Sequence, residues 1–337
     1  MMMAVLGWLL IAGGCDRSSP EAADSKAADE VVLYSSLDEP YLRPLADRFQ
    51  KQTGITVHVI TDTEATKSAG LAEKIAAERD HPHADVYWGN EIFHSINLAQ
   101  QGLLASYRPG TAADIPARWR DPQDRYAGTG LRARMIVIST RPQFKEIVAK
   151  VHGSSDLTDP LLKGKIGLSY PAFGTASGYF AALDVAWGEQ RYEQWLHGLK
   201  ANEVLLLGGN SVVADQVGAG TIAAGVTDND DIYNIQSNGD PVQAIVPDQS
   251  PGGIGMLLIP CAISLVKNAP HPEQGKRLID FLCRAEVEKQ LLDEHFLAYS
   301  VRGQIPVKAM DVDYIKVAQQ MPHAVRKALE ILQGRRP

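Results

Sequence analysis

Residues 31–88 alternate between short β-branched runs and amphipathic stretches, and this alternation limits the fold more than any other feature of the chain. Val31–Ser35 (VVLYS) ends in polar residues and predicts a short buried strand. From Tyr41 to Thr53, apolar Tyr41, Leu42, Leu45, Ala46 and Phe49 recur at helical spacing, and Gly54 supplies a stop. Ile55–Ile60 (ITVHVI) alternates and predicts a second strand. Thr66–Arg79 predicts a second helix with Leu71, Ile75 and Ala76 on one face, and Ala84–Trp88 (ADVYW) a third strand. Strands separated by helices in this order pair in parallel, because the helices serve as the crossovers that parallel strands require. Ligands of such sheets bind beyond the carboxyl ends of the strands.

The pattern then starts again. Leu131–Thr140 (LRARMIVIST) predicts a long apolar strand and Ile166–Ser169 a short one. A Gly/Ser-rich turn (YPAFGTASG) leads into a helix from about Ser177 to Ala186, followed by a helix at Tyr192–Ala201. Val204–Leu207 and Ala223–Thr227 predict strands on either side of a helix at Ser211–Ala219. Gly252–Val266 (GGIGMLLIPCAISLV) predicts long apolar strands, and Pro272–Arg284 and Glu286–His295 amphipathic helices. At 337 residues and 45% apolar composition the chain is long enough for two cores. The expected architecture is α/β and two-lobed, each lobe a mostly parallel sheet flanked by helices, with a ligand cleft between them. Residues 31–130 plus 255–305 are assigned to lobe 1, and 131–254 plus 306–337 to lobe 2.

Residues 1–15 (MMMAVLGWLLIAGGC) are uncharged, with an apolar stretch shorter than the about 20 residues a membrane span needs. The stretch ends in Ala12-Gly13-Gly14-Cys15 and resembles the lipobox of bacterial lipoproteins. That resemblance implies a signal peptide ending at a lipidated Cys15 and a periplasmic, membrane-anchored protein. Residues 16–30 carry no large hydrophobe up to Glu30 and predict a flexible tether. Cys261 and Cys283 lie in apolar runs without metal-site spacing and read as small buried hydrophobes. The net charge of −7 argues against a nucleic-acid partner, which needs clustered Lys and Arg.

Several longer segments carry a resemblance to a family. They are VVLYSSLDEPYLRPLADRFQKQTGITV, ADVYWGNEIFHSINLAQQGLL, YPAFGTASGYFAAL, GGNSVVADQVGAGTIAAGVTDNDD and IPCAISLVKNAPHPEQGKRLIDFL. From Val31 to about Val307 the chain resembles the extracellular solute-binding proteins of the ferric-iron-binding type, in the type II periplasmic binding class. The resemblance implies two lobes that close on a ligand like a hinged trap. It further implies docking on an ABC permease driven by an ATPase, action as a monomer, and no chemistry on the ligand. Ferric iron, Fe(3+), with a small synergistic anion is the implied transported ligand, and no catalytic cofactor is implied.

Carried over by position, the family's ligand residues after the first strand fall on Asp38 and Glu39, and those after the third strand on Asn90 or Glu91. The family's Tyr-Tyr pair falls on Asn229-Asp230, within Thr227-Asp228-Asn229-Asp230-Asp231. Carboxylates brought together from Asp38, Glu39, Glu91, Asp228, Asp230 and Asp231 repel unless a cation or bound protons compensate. Hard cations take such oxygen ligands, and an ammonium or polyamine serves equally. The anion end falls on Thr175, Ser177 and Gly178, with Asn210 and Ser211 at another helix start; unpaired N–H groups there attract anions, although the same residues also serve as plain caps. Lys67 and Ser68, at the start of the second predicted helix, are candidates for a phosphate or phosphonate, and Trp88 and Tyr179 for contact with an organic ligand. His81, His83 and His94 read as surface residues. Against iron stand a phosphonate, a sugar phosphate or a polyamine as cargo, a ligand-sensing lipoprotein, and a hydrolase for which the sequence spells no nucleophile motif.

Overall fold

The computed structural model describes residues 29–62 and 69–334. The expected leader, its Cys15, nearly all of the tether, and Lys67 and Ser68 lie outside the described residues. Glu30, read as the tether's end, opens the first strand.

The first α/β run is β1 (Glu30–Ser35), α1 (Glu39–Thr53), β2 (Thr56–Thr61), α2 (Ala69–Ala77), β3 (Val86–Gly89) and α3 (Phe93–Gln100), followed by the short β4 (Leu104–Ala105). α1 buries Leu42, Leu45, Ala46 and Phe49 and stops at Gly54, whose φ of 75° is the left-handed conformation that glycine reaches without a side-chain clash. β1 pairs in parallel with both β2 and β3, as the alternation predicts.

β5 (Ala127–Ser139) is the spine of the molecule. After α4 (Lys145–Val148) a second run follows: β6 (Ile166–Ser169), α5 (Gly174–Trp187), α6 (Glu189–Ala201), β7 (Leu205–Leu207), α7 (Asn210–Gly218), β8 (Ala224–Asp228), α8 (Asn229–Ser237) and β9 (Val242–Ile245). β6 is parallel to β7 and β8. β10 (Leu258–Val266), α9 (Pro272–Leu282) and α10 (Ala285–Asp293) return to the first sheet, and α11 (Tyr314–Gln333) closes the described chain. The strand order is β2-β1-β3-β10-β5-β8-β6-β7. β5 pairs with β10 through Ala127–Ala133, then with β8 through Arg134–Ile138. One strand therefore runs through both halves, and the α/β fold is the two-lobed type II binding-protein architecture. Its sheets are mixed rather than mostly parallel, because β10 runs antiparallel to β3 and β5, and β5 antiparallel to β8 and β9.

Several boundaries differ from expectation. β10 begins only at Leu258, because Gly252–Leu257 runs as a loop in which Met256 bridges Ala309. α5 starts at Gly174 rather than near Ser177. The acidic run, read as a ligand loop, is the end of β8 and the first turn of α8; Asp228 and Asp231 have capping-box spacing, and the Asp231 carboxylate accepts from the Asp228 backbone N–H at 3.4 Å. α8 and α11 were not anticipated. Among the described residues Cys261 and Cys283 are buried free thiols, as expected, and burial pushes both up to about 12.

Candidate functional site

The carboxyl ends of β1, β3, β6, β7 and β8 meet around one cavity of about 330 Å³. Asp38, Pro40 and Tyr41 line it from the β1–α1 connection, and Asn90 from the end of β3. Ser169, Phe173, Gly174 and Thr175 come from the β6–α5 turn, and Gly209, Asn210 and Ser211 from the start of α7. Asp228, Asp230, Asp231 and Asn234 come from the start of α8, and Arg132 from β5. This is where a parallel α/β sheet presents its ligand loops.

The floor is a buried charge network that the sequence reading missed. Arg132 reaches Asp228 at 3.1 Å and both oxygens of Asp230 at 2.6 and 2.7 Å. Arg134, only 1% exposed, donates to Asp228 at 2.8 Å, to the Thr175 hydroxyl at 3.0 Å and to Asn210 Oδ1 at 2.9 Å. It stands directly opposite Asp228 in the β5–β8 register, so sheet pairing itself builds this ion pair. The Thr175 hydroxyl donates to Asp228 at 2.6 Å, and the Asn210 amide donates to Thr175 at 2.9 Å and to Asp228 at 3.1 Å. Arg132 lies over the Phe296 ring at 5.0 Å and Arg134 over the Tyr179 ring at 5.3 Å.

Protonation follows from these contacts. Burial opposes ionisation of Asp228, but the charges of Arg132 and Arg134 and the Thr175 hydrogen bond outweigh it and hold the carboxyl below its usual range. Asp230 is raised by burial and by the charges of Asp228 and Asp38, which Arg132 only partly offsets. Half-buried Asp231 is raised further, by desolvation and then by Asp230 and Asp228. Burial also opposes the charge on Arg132, yet Asp228 and Asp230 raise it well above the ordinary value, so it remains a cation. Asp228, Asp230 and Asp231 place carboxylate oxygens within 4.8 Å of one another, but the guanidinium of Arg132 already sits against two of them.

The candidates separate. Asp38, Asn90, Thr175, Asn210, Ser211, Asp228, Asp230 and Asp231 come together at the cavity. Glu39 is exposed at the start of α1, 3.5 Å from Arg43. Glu91 is buried and accepts from the backbone N–H groups of Phe93 and His94 at 2.6 and 3.1 Å, so it caps α3 instead of facing the cleft. Asn229 points away from the cavity, onto backbone groups of β5 and of the segment after α10. Ser177 bonds back to the Gly174 carbonyl at 2.8 Å, because α5 begins one turn earlier than read, and Gly178 packs against Phe93. Trp88 is fully buried with its indole N–H on Thr129, and Tyr179 is buried with its hydroxyl on Ser154, so neither lines the cavity. Tyr41 and Phe173 are the aromatic residues that do. Exposed His81 and His83 are surface residues, and His94 is partly buried.

The signal for the arginines was present. Arg132 and Arg134 lie two apart in an apolar strand, hence on one face, and buried guanidinium groups require carboxylate partners.

Comparison with known proteins bears on the fold and the family. Residues 30–297 match the family described as bacterial extracellular solute-binding protein. A periplasmic protein of Salmonella typhimurium named for binding 2-aminoethylphosphonate is 28% identical over 280 residues, 80% of this chain and 78% of its own. Iron uptake protein A1 of Synechocystis is 24% identical over 309 residues, 89% of this chain and 83% of its own. The periplasmic binding protein AfuA of Actinobacillus pleuropneumoniae, solved with fructose-6-phosphate, superposes with a TM-score of 0.78 at 20% identity, covering 90% of this chain and 98% of that one. A two-lobed α/β frame, a polar cavity at the sheet ends and a family match over most of the chain converge on one identification: this chain belongs to the bacterial extracellular solute-binding proteins, the substrate-binding components of ABC importers.

Proposed function

We propose that the cavity receives a small zwitterionic organic ligand, with a phosphonate or phosphate group at the starts of α5 and α7 and an ammonium group beside Asp38 and Asp231. One observation carries this reading. Arg132 lies within the carboxylate cluster, 2.6 Å from Asp230 and 3.1 Å from Asp228, and supplies the counter-charge a metal would otherwise supply. The first turns of α5 and α7 reach the same cavity, and the N–H groups of a helix's first turn, which lack intrahelical acceptors, attract oxyanions. The relative named for 2-aminoethylphosphonate fits this chemistry.

A second reading is ferric iron carried with a small anion. The proximity of the Asp228, Asp230 and Asp231 oxygens favours it, as do the relatives named for iron. The anion then takes the same seat, and the iron takes the place of the ammonium.

In either reading the protein makes and breaks no bond in its cargo. It acts as a monomer, anchored through Cys15, and delivers cargo to a permease and its ATPase. The lobes are 31–130 with 255–305, and 131–254 with 306–337, hinged where β5 leaves β10 for β8. Release of the protein from membranes by Cys15→Ser tests the anchor; a protein that stays membrane-bound refutes it.

A thermal-shift screen of metal-stripped protein tests the cargo, using 2-aminoethylphosphonate, inorganic phosphate, ferric citrate, and ferric iron with carbonate. A ligand present at 100 times its dissociation constant adds about 2.7 kcal/mol. Stabilisation by 2-aminoethylphosphonate beyond that by phosphate is expected. A response confined to the ferric salts selects the second reading, and no response to any of the four rejects both.

A further inference from the structure

Asn229 occupies the position at which the resemblance places half of the family's ligand pair, yet it does not line the cavity. Its amide is fully engaged elsewhere. Oδ1 accepts from the N–H of Ala133 at 2.9 Å, and Nδ2 donates to the carbonyls of His295 and Phe296, each at 3.1 Å. Ala133 lies between Arg132 and Arg134, where β5 changes partner from β10 to β8. Asn229 therefore ties three pieces of backbone together beside the two arginines.

The segment it holds carries a second contact. Phe296 is fully buried, its ring 5.0 Å from the Arg132 guanidinium and 4.8 Å from the ring of Tyr41, a cavity residue. One turn beyond Asn229, Tyr233 stacks on the His295 ring at 3.7 Å and grips the same segment. Among the described residues Arg132 Nε has no hydrogen-bond partner, and this guanidinium is oriented by Asp228, Asp230 and the Phe296 face.

We propose that Asn229 and Phe296 form a positioning pair for Arg132: the amide fixes the backbone on both sides, and the ring fixes the plane of the guanidinium that meets the ligand. A position of ligand contact in the family resemblance is here a support behind the site. The inference rests on the reading that Arg132 faces the ligand, so its test has one arm without ligand and one with it.

In the ligand-free arm, the full chain carries ¹⁵N-labelled arginine, and Arg132→Lys identifies the Arg132 signals. Separate Nη–H signals, the mark of a guanidinium that does not rotate, are expected in the wild type. They should merge in Asn229→Ala and in Phe296→Leu, which keeps an apolar side chain but removes the π face. In the second arm, titration with 2-aminoethylphosphonate should show each variant weakened at least about tenfold, the scale of a desolvated cation–π contact. No further loss should appear when either variant is combined with Arg132→Lys. Signals that stay separate in both variants, or an affinity loss of equal size with and without the Arg132 guanidinium, would overturn the proposal. If the wild type binds none of this probe, the cargo reading has failed, and the Nη–H signals alone decide on the pair.

Discussion

At the scale of the residue, the site turns on buried charge. Asp228 answers two guanidinium groups, and removing one partner of a buried ion pair leaves the other charge uncompensated. Asp228→Asn should therefore destabilise the protein by about 3–5 kcal/mol in urea unfolding. A loss no larger than that of an exposed substitution would mean that water reaches the arginines. The sign with pH follows from the folded-state value. Asp228 is held below its ordinary range, so its contribution is complete above the ordinary carboxylate pKa and disappears as pH falls through the lower folded value. Asp231 has the opposite sign. Its raised value favours the protonated form, so its contribution is complete below the ordinary carboxylate pKa and is lost as pH rises through the raised one. Over that same rise it gains the charge to which the proposed reading assigns the ammonium group. Affinity for 2-aminoethylphosphonate should then climb with pH across that window, and Asp231→Asn should flatten the profile. An unchanged slope in the variant would place the amine elsewhere. The sequence showed the acids but not their partners, because LRARMIVIST matches a buried strand so well that its two arginines pass as interruptions. Buried charges are informative for what they compel nearby, and that rule applied to residues 132 and 134 would have paired them with the acidic run.

At the scale of the element, the misread boundaries share a cause. The run TDNDD is rich in turn-forming residues, yet Asp228 and Asp231 are spaced as a capping box and open a helix. Local composition favoured a loop, whereas the three-residue spacing favoured a helix start, and the spacing prevailed. In α5 the residues Gly174 to Gly178 look like a loop by propensity. They are helical because the whole first half of α5 is buried, and tertiary packing overrides weak propensity. Gly178 shows what that packing demands. A methyl group there would collide with the ring of Phe93 in α3, so the helices of the two halves approach closely only because no side chain stands between them. Gly178→Ala should cost about 1–3 kcal/mol, as overpacked cores do, and should weaken ligand binding by forcing α3 from α5. A variant with wild-type stability and affinity would show that the Phe93 ring turns aside freely. Strands and helices set by strong periodicity, from β1 through α1 and again at α9 and α10, were legible because one apolar face repeats without interruption.

At the scale of the whole molecule, α11 connects what the sheets leave apart. It packs along α5 and α6 and also reaches α3, burying Val317, Ala318, Met321, Ala324 and Ala328. Two polar links fix its register: the Tyr192 hydroxyl donates to the Ala324 carbonyl at 2.9 Å, and the Gln320 amide donates to Asp184 at 2.7 Å. Its start is written in the sequence, since Asp313 caps Ile315 and Lys316. Pro322 concealed the rest, because an internal proline removes a helical hydrogen bond and ordinarily marks an end. The packed face is extensive enough to carry the helix through it. The start of α5 lines the cavity, where the proposed reading seats the anion, and α5 packs on α11. Ending the chain after Asp313 should raise amide hydrogen exchange throughout α5 and α6 while leaving β1 and β2 protected, and should abolish binding with Asp38, Arg132 and Asp228 all present. Exchange that rises equally in β1 and β2 would instead mean that the two halves fold as one cooperative unit, with α11 supporting both through α3.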